Sequence, residues 1–133
     1  MSEREFRWAL VFPAAYLLIT GVMALVAPGT FFDQIGKYGI ENSHYVGDVG
    51  AFTTAAGIGV LIAIWRPSWR EPLLWVGAAW FGLHALNHLF DIGEARSDAR
   101  GIFDTALLAF GGVGSAYLAL MAQRMQERDE TPR

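Results

Sequence analysis

Four long apolar stretches, separated by short polar segments, dominate the pattern of this 133-residue chain. Each stretch approaches the roughly 20 residues that an α-helix needs to cross about 30 Å of hydrocarbon. The predicted transmembrane helices are Trp8–Ala27, Val46–Trp65, Leu73–Phe90 and Phe103–Ala122. Because these stretches are too long and too continuously apolar for barrel strands, we predict an all-α fold, a four-helix transmembrane bundle that forms a single domain over residues 1–133.

The composition also indicates a membrane protein. Hydrophobic residues make up 53% of the chain and charged residues only 17%, which is too apolar for an ordinary soluble domain. The first stretch follows Arg4 and Arg7 as a secretory signal would, but it is long and lacks a small-x-small cleavage site, so we expect it to remain as a helix. The net charge of −3, without a basic cluster, argues against nucleic acid as a partner and leaves membrane lipid as the expected one.

The distribution of basic residues predicts the orientation. An even number of spans puts both termini on one side of the membrane, and basic residues favour the cytoplasmic side. Seven of them fall on the side of the termini, namely Arg4, Arg7, Arg66, Arg70, Arg124, Arg128 and Arg133. Three fall on the other side, namely Lys37, Arg96 and Arg100. We therefore predict a multi-pass plasma-membrane protein with both termini cytoplasmic.

Ionisable and polar side chains collect at the predicted outer ends of three helices. The third predicted helix carries a polar stripe with an aromatic inner end, because residues three, four and seven apart share one helical face. The residues that would meet near the outer surface are His84, Asn87, His88 and Asp91 from that helix, His44 and Asp48 from the second, and Asp104 from the fourth. Trp80 lies deeper on the same stripe. An ionisable group in or near hydrocarbon is costly, so it generally has a partner or a function.

These residues predict an outward-facing polar pocket whose occupant stays open. Imidazole with carboxylate suits a divalent transition metal, for which the candidate ligands are His44, Asp48, His84, His88 and Asp91. Trp80, Asn87 and Asp104 are the candidate residues for a small ligand. Haem b, held by His44 with His84 or His88, and a quinone are alternative occupants. Another interpretation is a structural network in which these side chains only bridge helices.

Absence of cysteine narrows the chemistry further. Disulfides, thiolate metal sites, iron–sulfur clusters and covalent haem attachment are all excluded. No catalytic residue can be assigned, although His84 or His88 is suited to act as a general base or proton relay in an enzyme or redox subunit. The remaining alternative is an accessory subunit, as a homo-oligomer or within a larger membrane complex.

Small residues predict where helices approach each other, since transmembrane helices associate through close contact. The second predicted helix offers Gly47, Gly50 and Gly57, and the fourth offers Gly111 and Gly112. We therefore expect these two helices to meet closely.

Two segments carry a family resemblance, residues 42–52 (NSHYVGDVGAF) and residues 84–93 (HALNHLFDIG). They resemble small four-helix bacterial membrane proteins, largely actinobacterial, that are loosely akin to the DoxX-like group. The likeness covers most of the chain. It implies a four-helix membrane fold and, because some DoxX-type proteins are linked to quinone-dependent sulfur oxidation, a conceivable quinone role.

Overall fold

The computed structural model describes residues 1–130, in which helices are the dominant element. The α-helices are α1 (Glu3–Val26), α2 (Pro28–Gln34), α3 (Ser43–Trp65), α4 (Arg70–Phe90) and α5 (Asp98–Glu130). Two short 3₁₀ turns, Pro67–Trp69 and Ile92–Glu94, lie between the later helices. Arg133, one of the seven basic residues assigned to the side of the termini, lies outside the described residues.

The four long helices confirm the all-α fold and extend beyond the apolar stretches that predicted them. Helix α1 begins at Glu3 because Ser2 and Glu5 form a capping box, with the Ser2 hydroxyl accepting from the Glu5 N–H at 3.3 Å and the Glu5 carboxylate accepting from the Ser2 N–H at 2.7 Å. Polar residues continue α5 at both ends. Helix α2 was not predicted; Pro28 occupies its first turn, where proline costs no hydrogen bond.

Two close antiparallel pairs, α1 with α3 and α4 with α5, form the fold. In the first pair the backbones nearly touch: a Cβ atom added to Gly50 would lie 2.7 Å from the Leu25 nitrogen. In the second pair, a Cβ atom on Gly111 would lie 3.1 Å from the Phe81 ring. The expectation that α3 and α5 meet closely was wrong, because Gly50 and Gly57 of α3 contact α1, while Gly111 and Gly112 of α5 contact α4.

One half of the molecule, which we call the closed half, contains the starts of α1 and α4 and the ends of α3 and α5. Its apolar core draws on all four long helices through Phe6, Leu10, Ile64, Leu74 and Ala122. This is the half in which the two helix pairs pack against each other.

A buried arginine crosses the closed half. Arg70 is only 3% exposed, and its guanidinium donates to both carboxylate oxygens of Glu3 at 2.7 Å. It also donates to the carbonyl oxygens of Ala63 at 2.9 Å and Ile64 at 3.1 Å, which belong to the last turn of α3 and have no partner within the helix. Arg70 therefore joins the starts of α1 and α4 to the end of α3.

The other half, which we call the cavity half, contains the ends of α1 and α4, the starts of α3 and α5, and the two long connections. An isolated antiparallel bridge pairs Tyr38 of the first connection with Ala95 of the second. Arg96 donates to the Asp33 carbonyl oxygen at 2.6 Å, and the Gly39 N–H donates to the Glu94 carbonyl oxygen at 3.4 Å. Gly39 has φ +58°, a conformation that glycine adopts readily. The connections are thus tied together beside the space that separates the helix pairs.

Candidate functional site

A cavity of about 310 Å³ lies between the helix pairs in the cavity half. This volume is at the lower end of the range for small-molecule sites. Its apolar and aromatic walls include Tyr16, Leu17, Ala24, Phe31, Ile35, Tyr45, Val46, Val49, Trp80, Phe81, Leu107 and Leu108. Its polar walls include Thr20, Tyr38, Thr53, His84, Asn87, His88, Asp91 and Asp104. The cavity can therefore accommodate a molecule that is mostly apolar and carries a few polar groups.

The polar stripe of α4 forms one wall of this cavity. His84 and His88 lie one turn apart, and their Nε2 atoms are 3.1 Å from each other. One ring must donate and the other accept across this distance, so two neutral rings have different tautomers. The Nδ1 atoms of both rings are buried and have no hydrogen-bond partner among the described residues. Buried polar atoms without a partner are uncommon and require a physical explanation.

Aromatic contacts extend the stripe in both directions. The ring centroids of Trp80 and His84 are 5.4 Å apart, and those of His84 and His88 are 4.7 Å apart. At the outer end, Tyr38 meets His88 edge to face with a centroid distance of 4.3 Å. A continuous row of rings therefore runs along the cavity from Trp80 to the connection that carries Tyr38.

Tyr38 links this row to a buried carboxylate. Its hydroxyl donates to Asp104 Oδ2 at 3.2 Å, and Arg100 Nε donates to the same oxygen at 2.9 Å. Asp104 is 9% exposed, so both donors compensate for its removal from water. Partial burial, followed by the charge of Asp104 and the hydrogen bond to it, raises the pKa of Tyr38 to about 12. Tyr38 is consequently a neutral hydrogen-bond donor over the whole physiological range.

Thr53 contributes a second unused polar group to the cavity. It is 7% exposed and lines the cavity from α3, and its hydroxyl has no hydrogen-bond partner within the described part of the chain. Sequence reasoning missed both Thr53 and Tyr38. The spacing of Val46, Val49 and Thr53 by three and four residues is a helical-face signal that identifies Thr53. No comparable signal exists for Tyr38, because it lies in a connection.

Three residues predicted to contact a small ligand, Trp80, Asn87 and Asp104, line the cavity. Asn87 donates to Asp91 Oδ2 at 3.1 Å, one turn further along the same face of α4. The structure therefore brings the α4 stripe and Asp104 to one chamber.

His44 and Asp48 do not join them. Their side chains are 81% and 66% exposed, and the His44 Nε2 atom lies 3.6 Å from an Asp48 carboxylate oxygen. Helical geometry explains the difference: they lie about 160° around α3 from Val46, which faces the cavity. These two residues therefore lie outside the cavity that the α4 stripe and Asp104 line.

The predicted metal site has no support in this arrangement. Among residues 1–130, no group of three or more His, Cys, Asp or Glu side chains is placed to hold a metal ion. His44 and Asp48 face away, His84 and His88 contact each other, and Asp91 contacts Asn87. The haem b alternative paired His44 with His84 or His88. Because His44 faces away from the cavity, the structure does not bring such a pair together.

Comparisons with protein-family models, with curated proteins and with solved structures found no match to this chain. The resemblance to DoxX-like proteins stays a prediction. Arguments about function consequently come from the cavity and its side chains.

Proposed function

We propose that this chain is an integral membrane protein of the bacterial plasma membrane, whose four long helices form a transmembrane bundle. Each of these helices is long and apolar enough to cross a membrane. Large apolar side chains also face outward, among them Phe12 (77% exposed), Leu83 (68%) and Phe110 (75%). A soluble monomer rarely exposes apolar surface on this scale, whereas lipid covers it. Both termini are proposed to be cytoplasmic, because the basic residues are concentrated at that end.

The proposed function is the binding of a small amphipathic molecule in the outer half of this bundle. The observation that carries the proposal is the cavity of about 310 Å³, whose walls are mainly apolar but include polar groups with unused hydrogen-bonding capacity. Those groups are the Thr53 hydroxyl and the rings of His84 and His88. A ligand hydroxyl or carbonyl would hydrogen-bond with Thr53, and rotation of a histidine about its Cβ–Cγ bond would present a ring nitrogen.

Trp80 offers a direct test, because it lines the cavity while Trp8, Trp65, Trp69 and Trp75 do not. A variant that retains Trp80 and has phenylalanine at the other four positions would be placed in lipid nanodiscs and titrated with bromodecanol. Bromine quenches tryptophan fluorescence at short range, so we expect saturable quenching of Trp80.

Two matched substitutions control for probe dissolved in lipid. Val49→Phe narrows the cavity, since Val49 lines it, whereas Val113→Phe adds the same volume at an outward-facing position that is 70% exposed. We expect Val49→Phe to reduce the saturable quenching and Val113→Phe to preserve it. Equal, non-saturating quenching in all variants would reject binding in the cavity.

A second candidate function, proton handling, rests on the row of groups beside the cavity. His84 and His88 share a hydrogen bond, His88 contacts the Tyr38 ring, and the Tyr38 hydroxyl donates to Asp104. Such groups suit proton movement between the cavity and the surface, because an imidazole ring can accept a proton on one nitrogen and donate one from the other. Liposomes containing this chain would then dissipate an imposed pH gradient faster than liposomes containing the double variant His84→Leu/His88→Leu. Equal rates would exclude this role.

A further inference from the structure

A small second pocket, which we call the rim pocket, lies beside the outer connections. It has a volume of about 30 Å³ and is formed by the end of α2, the residues that follow α2, the connection before α5 and the start of α5. Lys37, Arg96 and Arg100 all line it. These are the three basic residues that sequence analysis assigned to the outer side, so every cation of that side meets at one place.

The charges around the rim pocket leave one cation without a carboxylate. Lys37 lies 3.5 Å from Asp33, and Arg100 is bonded to Asp104 at 2.9 Å. Asp104 also accepts from Tyr38, so its charge is compensated. Arg96 donates to the backbone carbonyl of Asp33 and has no carboxylate within ion-pair distance among the described residues. The pocket therefore has a net positive charge and suits one anionic group.

The rim pocket adjoins the cavity. Ile35 and Asp104 line both, so the basic surface adjoins the apolar chamber at these two side chains. A volume of about 30 Å³ has room for one or two water-sized groups, which is the scale of a carboxylate. The larger cavity has space for a short apolar tail.

We propose that the natural ligand is an amphiphile with a single anionic headgroup, a carboxylate or a phosphate, that contacts Arg96 while its apolar tail occupies the cavity. Lys37 and Arg100 would strengthen the local positive potential. This inference rests on the proposed function and adds the charge and orientation of the ligand. Charge complementarity carries it: an anionic head fits the uncompensated guanidinium, and an apolar tail fits the walls formed by residues such as Phe31 and Leu108.

The test compares probes that share one tail. The probes are decanoate, decyl phosphate, decanol and decyltrimethylammonium. Each would be titrated into the full chain in zwitterionic nanodiscs, and calorimetry would measure the heat of binding. The heat from empty nanodiscs would be subtracted. We expect decanoate or decyl phosphate to bind about fivefold or more tightly than decanol, and the cation to bind most weakly. The order of decanoate and decyl phosphate distinguishes a carboxylate from a phosphate headgroup.

Arg96→Gln isolates the role of the guanidinium, and Arg124→Gln, an exposed position at the opposite end, is the matched control. We expect Arg96→Gln to weaken binding of the anionic probe about fivefold and to leave decanol binding unchanged, with no effect of Arg124→Gln. Added salt should weaken only the anionic probes.

Each failure has a separate meaning. Equal affinity for decanol and both anions, or equal losses in the two arginine variants, would overturn the anionic headgroup while retaining a ligand-binding cavity. Absence of saturable binding by all four probes would overturn the proposed function together with this inference.

Discussion

The closed half and the cavity half differ in whether their buried polar atoms have hydrogen-bond partners. In the closed half, the Arg70 guanidinium has four hydrogen bonds to Glu3, Ala63 and Ile64 and is surrounded by a continuous core. In the cavity half, the Nδ1 atoms of His84 and His88 have no hydrogen-bond partner among residues 1–130, and the helix pairs separate around open space. Both halves use the same helices.

This difference separates stability from binding. Satisfied polar groups in a packed core hold helices in place, whereas unsatisfied groups beside a cavity cost free energy until something binds there. We therefore expect the closed half to supply most of the stability and the cavity half to supply the specificity for a ligand. Substitutions of the bonded polar groups in the closed half should therefore lower the free energy of unfolding, whereas apolar substitutions of the unpartnered groups in the cavity half should leave it unchanged or raise it.

The largest effect is expected from Arg70→Met. This change removes both Arg70 bonds to the Glu3 carboxylate, which keeps only the bond from Arg7, and leaves two carbonyl oxygens at the end of α3 without their donor. The free energy of unfolding should fall by about 2–4 kcal/mol. Denaturant titration in micelles, followed by far-ultraviolet circular dichroism, measures the loss. Arg66→Met, an exposed neighbour, is the control and should change little. Equal losses would show that Arg70 has no special role.

A smaller loss is expected from Gly50→Ala. The added methyl group would lie 2.7 Å from the Leu25 backbone nitrogen and would push α3 from α1, at a cost of about 1–3 kcal/mol. Gly47→Ala, one turn earlier on α3, has no heavy atom within 4 Å and should be neutral or stabilising by up to about 1 kcal/mol. The same denaturant titration compares the two, and a neutral Gly50→Ala would contradict the close approach of α1 and α3.

Replacing the two cavity histidines by leucine should not destabilise the fold, unlike the two substitutions above. The double variant His84→Leu/His88→Leu removes both unpartnered nitrogens together with the bond between the rings, so the free energy of unfolding should change by no more than about 1 kcal/mol or should rise. His88→Leu alone should be less stable than the double variant, because the His84 ring then loses the hydrogen bond that it makes to His88. A double variant as unstable as Arg70→Met would remove the distinction between the halves.

The smallest effect concerns the ionisation of Tyr38. Its pKa is raised to about 12, so the neutral phenol favours the folded state. The ordinary value for tyrosine is about 10. The resulting stabilisation is present below the unfolded pKa and is lost as the pH rises through the folded one. Ultraviolet titration of phenolate formation should show this late ionisation, and Tyr38→Phe should remove the absorbance change near pH 12. A loss near the ordinary tyrosine pKa of about 10 would instead contradict the raised pKa.

Periodicity was sufficient to predict the long helices and the face that α4 turns to the cavity, because both depend on local spacing. It was insufficient for His44 and Asp48, since their shared face on α3 does not reveal which direction that face points. Tyr38 and α2 were missed because contacts between connections, such as Tyr38 with Ala95, leave no periodic signal. Glycines indicated close helix contacts but not the partners: α3 uses Gly50 against α1 rather than against α5.

The pairing of α1 with α3 and of α4 with α5 also bears on biogenesis. Each pair comprises long helices that follow one another along the chain, so the contacts within it form between segments made in close succession. Contacts of this local kind form quickly. In the proposed membrane bundle, the first hairpin can be complete while the second is still being translated, and the cavity forms only when the two hairpins dock. Occupancy of that chamber would then report that assembly has finished.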